Sequence, residues 1–236
     1  MLKQILILST LFYGGFTQAK ELSDKSLVTR SLTAKDGEFQ VWGAAGYTKK
    51  SDNDNGGYLG IDGRYGITDD WSISLGHTHY RFIDRGQSKR GLELAIGAGL
   101  KGAYELQNGD DVIGYGADIT GKYVFSNETA VLFGSQYVFW NVPDTDKNLD
   151  EWRWSIGMQQ EISIDVVLSA NYTYRDLNGF NQSSAYDASI GFNYALTKQW
   201  DLGISVGYSD FNALKNGFKG DTAYKENAGI YVGYRF

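Results

Sequence analysis

Apolar residues alternate with polar or small ones along most of the chain, and this period of two predicts β-strands with two unlike faces. In residues 92–106 nearly all even positions are apolar, while Glu93, Lys101 and Glu105 stand at odd positions. Similar segments follow at 113–125, 152–158, 166–174, 186–194 and 200–208, separated by polar turns such as QNGDD, SNE and TKQ. The pattern predicts an all-β, antiparallel, up-and-down fold.

The apolar face of these strands could meet either a protein core or lipid. A secreted sandwich or lipocalin-like barrel would turn it inward. However, most strands carry aliphatic residues at the centre and aromatic residues at the ends, as where Trp200 and Tyr208 flank Leu202, Ile204 and Val206. Aromatic rings prefer the two headgroup levels of a bilayer. The sorting by depth therefore predicts a transmembrane β-barrel with its apolar face outward.

The opposite face carries charges among Gly, Ser, Thr and Asn. An Arg or Lys turned to lipid near the midplane would cost about 2–4 kcal/mol. We therefore expect these residues to face the lumen and to pair with one another: Asp62, Arg64, Glu93, Lys101, Glu105, Asp118, Lys122, Arg153, Glu161, Asp165, Arg175, Asp187, Asp201 and Arg235.

The first residues have the features of a secretory signal peptide. Residues 1–19 contain one early lysine, an apolar run and small residues before a plausible cleavage site after Ala19. Residues 20–236 are then one barrel domain, with no later apolar run near the roughly 20 residues that a spanning helix needs. The chain has no cysteine, so it forms no disulfides, and its net charge of −6 argues against nucleic acid as a partner.

The chain ends in GIYVGYRF, with Ile230, Val232, Tyr234 and Phe236 at alternate positions. In this it resembles the bacterial outer-membrane β-barrel proteins of Gram-negative cells, whose last strand typically ends in Phe and is recognised by assembly machinery. The resemblance implies the outer membrane as location. It also implies outer-membrane lipids and the barrel assembly machinery as partners, and we expect a monomer. It does not identify a subfamily.

The number of strands is open at this point. Residues 38–236 contain about eleven segments, and single-chain bacterial barrels have an even number. Either KSLVTRSLT, residues 25–33, adds a weak first strand to give twelve, or two segments fuse around EISIDVV to give ten. We favour twelve, because the fused strand would far exceed the roughly 9–11 residues needed to span a bilayer.

Function follows less directly from the pattern. The fold predicts a porin-like narrow channel or a structural barrel with a charge-paired lumen. A lipid-modifying enzyme and a surface adhesin or receptor acting through its loops are the alternatives. His77 and His79 share a face with each other but not with Thr78, and share the parity of Ile73. We therefore expect both rings to point outward, and we predict no enzyme activity, no catalytic residue, no metal site and no cofactor.

Overall fold

The computed structural model describes residues 27–51, 54–86, 89–143, 148–163 and 165–236. The predicted signal peptide, residues 1–19, lies outside these ranges. No helix in the described part of the chain is both long and apolar enough to cross a membrane. The strands are β1 Phe39–Lys50, β2 Asn55–Gly66, β3 Trp71–Ser74, β4 His77–Ile83, β5 Gly91–Glu105, β6 Asp111–Val124, β7 Thr129–Asn141, β8 Leu149–Ser163, β9 Val166–Asn178, β10 Ser184–Ala195, β11 Trp200–Ser209 and β12 Tyr224–Arg235.

These strands form one closed barrel in which each strand pairs antiparallel with its neighbours in sequence. β12 pairs with β1 over eleven residue pairs, from Gln40 opposite Arg235 to Lys50 opposite Tyr224, and this pairing closes the wall. The predicted antiparallel up-and-down barrel of twelve strands is confirmed. Short turns such as SNE and TKQ lie at the end that holds Phe236, which is the periplasmic end of such barrels. The longest connection, residues 210–223, lies at the outer end.

The twelfth strand arises at a place that the sequence pattern did not mark. A two-residue turn, Leu75–Gly76, separates β3 from β4, and Gly76 has φ +77°, a conformation that favours glycine. The prediction of a first strand in residues 25–33 is wrong, since the described part of that segment forms turns and bends. The alternative of ten strands is also wrong, because Asp165, with φ +64°, turns the chain between β8 and β9.

The β3–β4 hairpin is much shorter than the strands around it. Its turn lies at the level of Arg64 on β2 and Gly99 on β5. Beyond that level, β2 pairs along one edge only, with β1, and β5 pairs only with β6 among the described strands. The barrel wall is therefore low on this side. A β-bulge between Leu100 and Gly102 changes which side chains of β5 point inward above it.

Burial alternates along the strands as expected for a barrel with an apolar outer wall. On β11, Asp201 and Ser209 are buried, whereas Ile204 is 55% exposed between Trp200 and Tyr208. Exposed aromatic residues pack in pairs along the outside: Trp154 stacks on Tyr174, and Trp200 contacts Tyr234 at a tilted angle. The outer surface thus has an aliphatic middle and aromatic margins, the arrangement that suits a bilayer.

Both ends of the lumen are filled by segments of the chain itself. Residues 27–38, which we call the inner plug, lie at the periplasmic end, where Leu27 and Val28 pack against Val124, Val167 and neighbouring wall residues. Residues 210–223, which we call the outer loop, connect β11 to β12 and fold over the other end. Phe218 of this loop forms an isolated antiparallel bridge with Leu106 on the far side of the mouth.

Replacing Ile204 with Arg tests the orientation of the wall. The charge would enter the middle of the lipid-facing band, so we expect the free energy of unfolding to fall by about 2–4 kcal/mol. Ser205→Arg is the matched control, because its side chain points into the lumen and reaches water there. Urea titrations of both variants in lipid vesicles provide the measurement, and equal losses of stability would contradict the assigned orientation.

Candidate functional site

The inner plug is held by a carboxylate at the start of β5. Glu93 is fully buried and accepts hydrogen bonds from the Leu32 backbone N–H at 2.8 Å and from the Ser31 hydroxyl. Arg81 and Arg85 donate to the same carboxylate at 3.2 and 2.9 Å. A buried carboxylate is stable only when it is paired and hydrogen-bonded. The contacts of Ser31 and Leu32 fix the plug to the wall, and the two arginines, which lie outside the plug, balance the charge of the carboxylate.

A second anchor lies across the lumen on β11. Arg30 of the plug makes a two-pronged ion pair with Asp201, at 2.6 and 2.7 Å, and Arg235 of β12 contacts the same carboxylate. Lys122 on β6 donates to the Arg30 carbonyl oxygen at 3.0 Å. Bidentate Arg–carboxylate pairs are strong and directional. The inner plug is therefore tied to both sides of the barrel by charged groups.

The outer end is closed mainly by aromatic stacking. Tyr104 stacks on Trp140 of the wall and on Phe211 and Phe218 of the outer loop, with ring centroids 4.6–5.1 Å apart. The sequence pattern placed Tyr104 on the outer face and Glu105 in the lumen. The bulge at Leu100–Gly102 reverses this, so Tyr104 points inward and Glu105 lies at the rim, paired with Lys219 of the outer loop.

Below these rings lies a buried cluster of charges. The fully buried Glu151 of β8 accepts from Arg175 at 2.7 Å and from Arg153 at 2.5 Å, and the Trp140 ring N–H donates to it at 3.1 Å. Arg175 also donates to the Tyr104 hydroxyl at 3.1 Å. The cluster joins the aromatic layer to the wall.

Between the two closures the lumen holds a cavity of about 250 Å³. The wall from β8 to β12 lines it mainly with short uncharged groups, together with Arg153 of β8 and Asp187 of β10. Asp118 of β6 supplies a charge on the other side. The short polar and glycine lining residues on β8 to β12 are Ser155, Gly157, Ser169, Asn171, Thr173, Ser189, Gly191, Asn193, Ser205, Gly207 and Asn227.

The two histidines lie on the charged side of this lumen. His77 and His79 are 5% and 6% exposed, and the Nε2 atom of His77 lies 3.0 Å from Oδ2 of Asp118. The prediction that both rings point outward is wrong, because the turn at Leu75–Gly76 reverses the inward and outward parity between β3 and β4. Lys101 contacts both His77 and Asp118. We call His77, His79, Lys101 and Asp118 the wall cluster.

Gly97 provides the space for the wall cluster. It lies on β5 between His79 of β4 and Asp118 of β6 in the strand register. A Cβ at this position would lie 2.7–2.8 Å from atoms of His77, His79 and Asp118. Sequence reasoning placed Asp118 in the lumen but missed its contact with the histidines, because that contact depends on the register across three strands.

The charged residues predicted for the lumen divide into several groups. Glu93, Lys122, Asp201 and Arg235 hold the inner plug, whereas Arg153 and Arg175 belong to the outer cluster around Glu151. Lys101 and Asp118 are in the wall cluster. Two lie elsewhere: Glu105 is at the rim and Asp165 is in the β8–β9 turn. The remaining members are on inward-facing positions of their strands: Asp62, Arg64, Glu161 and Asp187.

Comparison with known proteins gives matches in structure only. No family model and no curated protein matches the sequence. Among solved structures, the KdgM porin has a TM-score of 0.53 at 9% identity, over 84% of this chain and 99% of that one. An outer-membrane channel from Pseudomonas putida F1 also has a TM-score of 0.53 at 9% identity, over 93% of this chain and 100% of that one.

At these identities the likeness shows the fold. That fold, together with the apolar outer belt and the filled polar lumen, defines the chain as a bacterial outer-membrane β-barrel protein. The comparisons leave its subfamily open. The particular proteins that it resembles are a porin and an outer-membrane channel, and each is similar in architecture rather than in sequence.

Gly97→Ala tests the packing of the wall cluster. The added methyl group would overlap both imidazole rings and the Asp118 carboxylate, so we expect a loss of about 1–3 kcal/mol in the free energy of unfolding. Gly43→Ala is the control, since a Cβ there meets no other atom within 4 Å. Urea unfolding in vesicles measures both, and an unchanged stability for Gly97→Ala would contradict the described cluster.

Proposed function

We propose that this protein is a narrow channel for small polar solutes whose resting state is closed by the inner plug and the outer loop. The observation that carries the proposal is the central cavity of about 250 Å³, which lies between the two closures. A barrel with a purely structural role has no need of such a space, because its lumen can be packed with side chains.

The lining of the cavity favours small polar solutes. Hydroxyl, amide and glycine positions dominate the side formed by β8 to β12, where Arg153 and Asp187 are the charged lining residues, and Asp118 lies on the opposite side. Short hydroxyl and amide groups can replace the hydrogen bonds that a solute loses with water, while glycines leave room for it. Uncharged, hydroxyl-rich solutes such as polyols fit this lining best.

Both closures are suited to rearrangement. The inner plug contains no regular strand, and its polar contacts with the wall centre on Glu93 and Asp201. The outer loop is a single connection that spans the mouth. Segments outside the strand ladder can move without breaking the wall, as loops in barrels generally do. Opening would require both to shift.

The solved structures support the proposal only through the shared architecture. They are a porin and an outer-membrane channel, and another structure is that of the KdgM porin in complex with disordered oligogalacturonate. One fold can serve several functions, so the solute of another protein does not transfer to this chain. A lipid-modifying enzyme is less favoured, because His77 and His79 lie in the lumen. A role in adhesion stays a prediction.

Glu93→Gln tests the inner closure. The variant keeps the side-chain shape but removes the charge that accepts hydrogen bonds from Ser31 and Leu32 of the plug, so the plug should be released more often. We expect about a tenfold increase in the open fraction, which corresponds to about 1.4 kcal/mol. Single-channel recording in planar bilayers measures it. Glu128→Gln, an exposed carboxylate in a periplasmic turn, is the control and should resemble the wild type.

The channel proposal fails if neither the wild type nor Glu93→Gln shows conductance while both migrate as folded barrels in gel electrophoresis. Polyol uptake into proteoliposomes provides an independent readout, because it does not depend on charge. Uptake should be higher for Glu93→Gln than for Glu128→Gln.

An engineered disulfide tests the outer closure. Leu106 and Phe218 stand opposite each other in an antiparallel bridge, where Cα atoms lie about 4.5–5.5 Å apart, within the range of a disulfide. The chain has no cysteine of its own. In the Glu93→Gln background, we expect L106C/F218C to conduct when reduced and to close when oxidised. Conductance that is the same before and after reduction would contradict a gate at the outer loop.

A further inference from the structure

We infer that the wall cluster is a binding site for a transition-metal dication such as Zn²⁺, with His77, His79 and Asp118 as ligands and Lys101 as a built-in competitor. The inference rests on the geometry of the lumen and not on the proposed channel function. Its basis is the convergence of three ligand side chains from two strands around one glycine.

The ligands are placed by the strand register. His77 and His79 are two residues apart on β4, so both rings project from the same face. Asp118 is brought beside them from β6, on the other side of Gly97. One ligand atom from each residue lies within 4.8 Å of the others. Two imidazoles on one strand and a third ligand from a nearby strand form a common type of zinc donor set.

The distances are close to those of a metal shell. The two rings approach each other through their Nδ1 atoms, which are 3.2 Å apart. Their Nε2 atoms face Asp118, at 3.0 Å from Oδ2 for His77 and 3.8 Å from Oδ1 for His79. Bonds of about 2.0–2.2 Å to a tetrahedral ion place ligand atoms about 3.4 Å apart. At least one imidazole ring must turn so that a single nitrogen from each histidine faces the ion together with one Asp118 oxygen. Asp118 also lines the central cavity, which leaves a fourth position for water.

In the structure, the ammonium group of Lys101 lies where a bound metal ion would place its positive charge. Its ammonium group contacts both the Nε2 atom of His77 and the Oδ2 atom of Asp118, the atoms that an ion would use. An ammonium group has donors but no acceptors, so it satisfies these two acceptors as a cation would. A second cavity of about 80 Å³, lined by Lys101 and Asp187, lies next to it. The displaced side chain has space there.

The donor set narrows the kind of ion. Two imidazoles with one carboxylate favour Zn²⁺ and other borderline dications, whereas Mg²⁺ and Ca²⁺ prefer shells made of oxygen atoms. Anchoring of the ligands also matters, since neighbours that orient them typically change metal affinity by 10- to 100-fold. Lys101 should change the metal affinity by a similar factor but should lower it, because its ammonium group competes with the ion for the ligands.

A titration with ZnCl₂ tests the site. It uses the full chain, folded in detergent micelles and purified without a histidine tag. Isothermal calorimetry should show one Zn²⁺ per chain. His79→Gln and Asp118→Asn should each weaken binding at least about tenfold, whereas Lys101→Met should tighten it by about tenfold or more. Glu128→Gln is the control with an unchanged affinity, and MgCl₂ is the control ion.

The two histidines are the only ones in the chain, so ¹⁵N-histidine labelling gives a second readout. Zn²⁺ should shift both imidazole signals. The inference is overturned if neither the wild type nor Lys101→Met binds Zn²⁺, or if Lys101→Met binds no more tightly than the wild type. Binding that survives both His79→Gln and Asp118→Asn would place the ion elsewhere and would also overturn it. A tighter Lys101→Met cannot be produced by misfolding.

Discussion

The structure depends on one constraint: a sheet in hydrocarbon must satisfy every backbone N–H and C=O through its own strands. The pairing of β1 with β12 meets this constraint by removing the last free edges of the sheet. Once the barrel is closed, alternate side chains must face lipid and lumen in turn. The apolar belt, the aromatic margins and the polar interior then follow from the same alternation.

In the lumen, buried charged side chains are stabilised by ion pairs with nearby residues of opposite charge. The fully buried Glu93 and Glu151 each have two arginine partners, and Asp201 lies between Arg30 and Arg235. Acidic and basic side chains that are removed from bulk water are stable only with such partners. The groups around Glu93 and Asp201 also hold the inner plug, so the interactions that make a charged lumen tolerable are those that close it.

The sequence predicted the barrel well because side-chain alternation is local. The prediction failed where a turn or a bulge changes which alternate side chains face inward. The turn at Leu75–Gly76 carries only one glycine among many, yet it creates a strand and moves both histidines inward. The bulge at Leu100–Gly102 likewise moves Tyr104 inside. The prediction of a strand in residues 25–33 came from the need for an even strand number, whereas the apolar Leu27 and Val28 of this segment pack in the barrel interior. Contacts across several strands, such as those of Gly97, leave no trace in sequence spacing.

The central claim is that even-numbered positions of β11 face lipid and odd-numbered positions face the lumen. Because the native chain lacks cysteine, single cysteines at each position from 200 to 209 can carry a nitroxide label in reconstituted vesicles. Electron paramagnetic resonance then compares relaxation by oxygen, which concentrates in lipid, with relaxation by a water-soluble nickel complex. We predict high oxygen accessibility at positions 202, 204 and 206 and low accessibility between them. The reverse alternation, or none, would contradict the account.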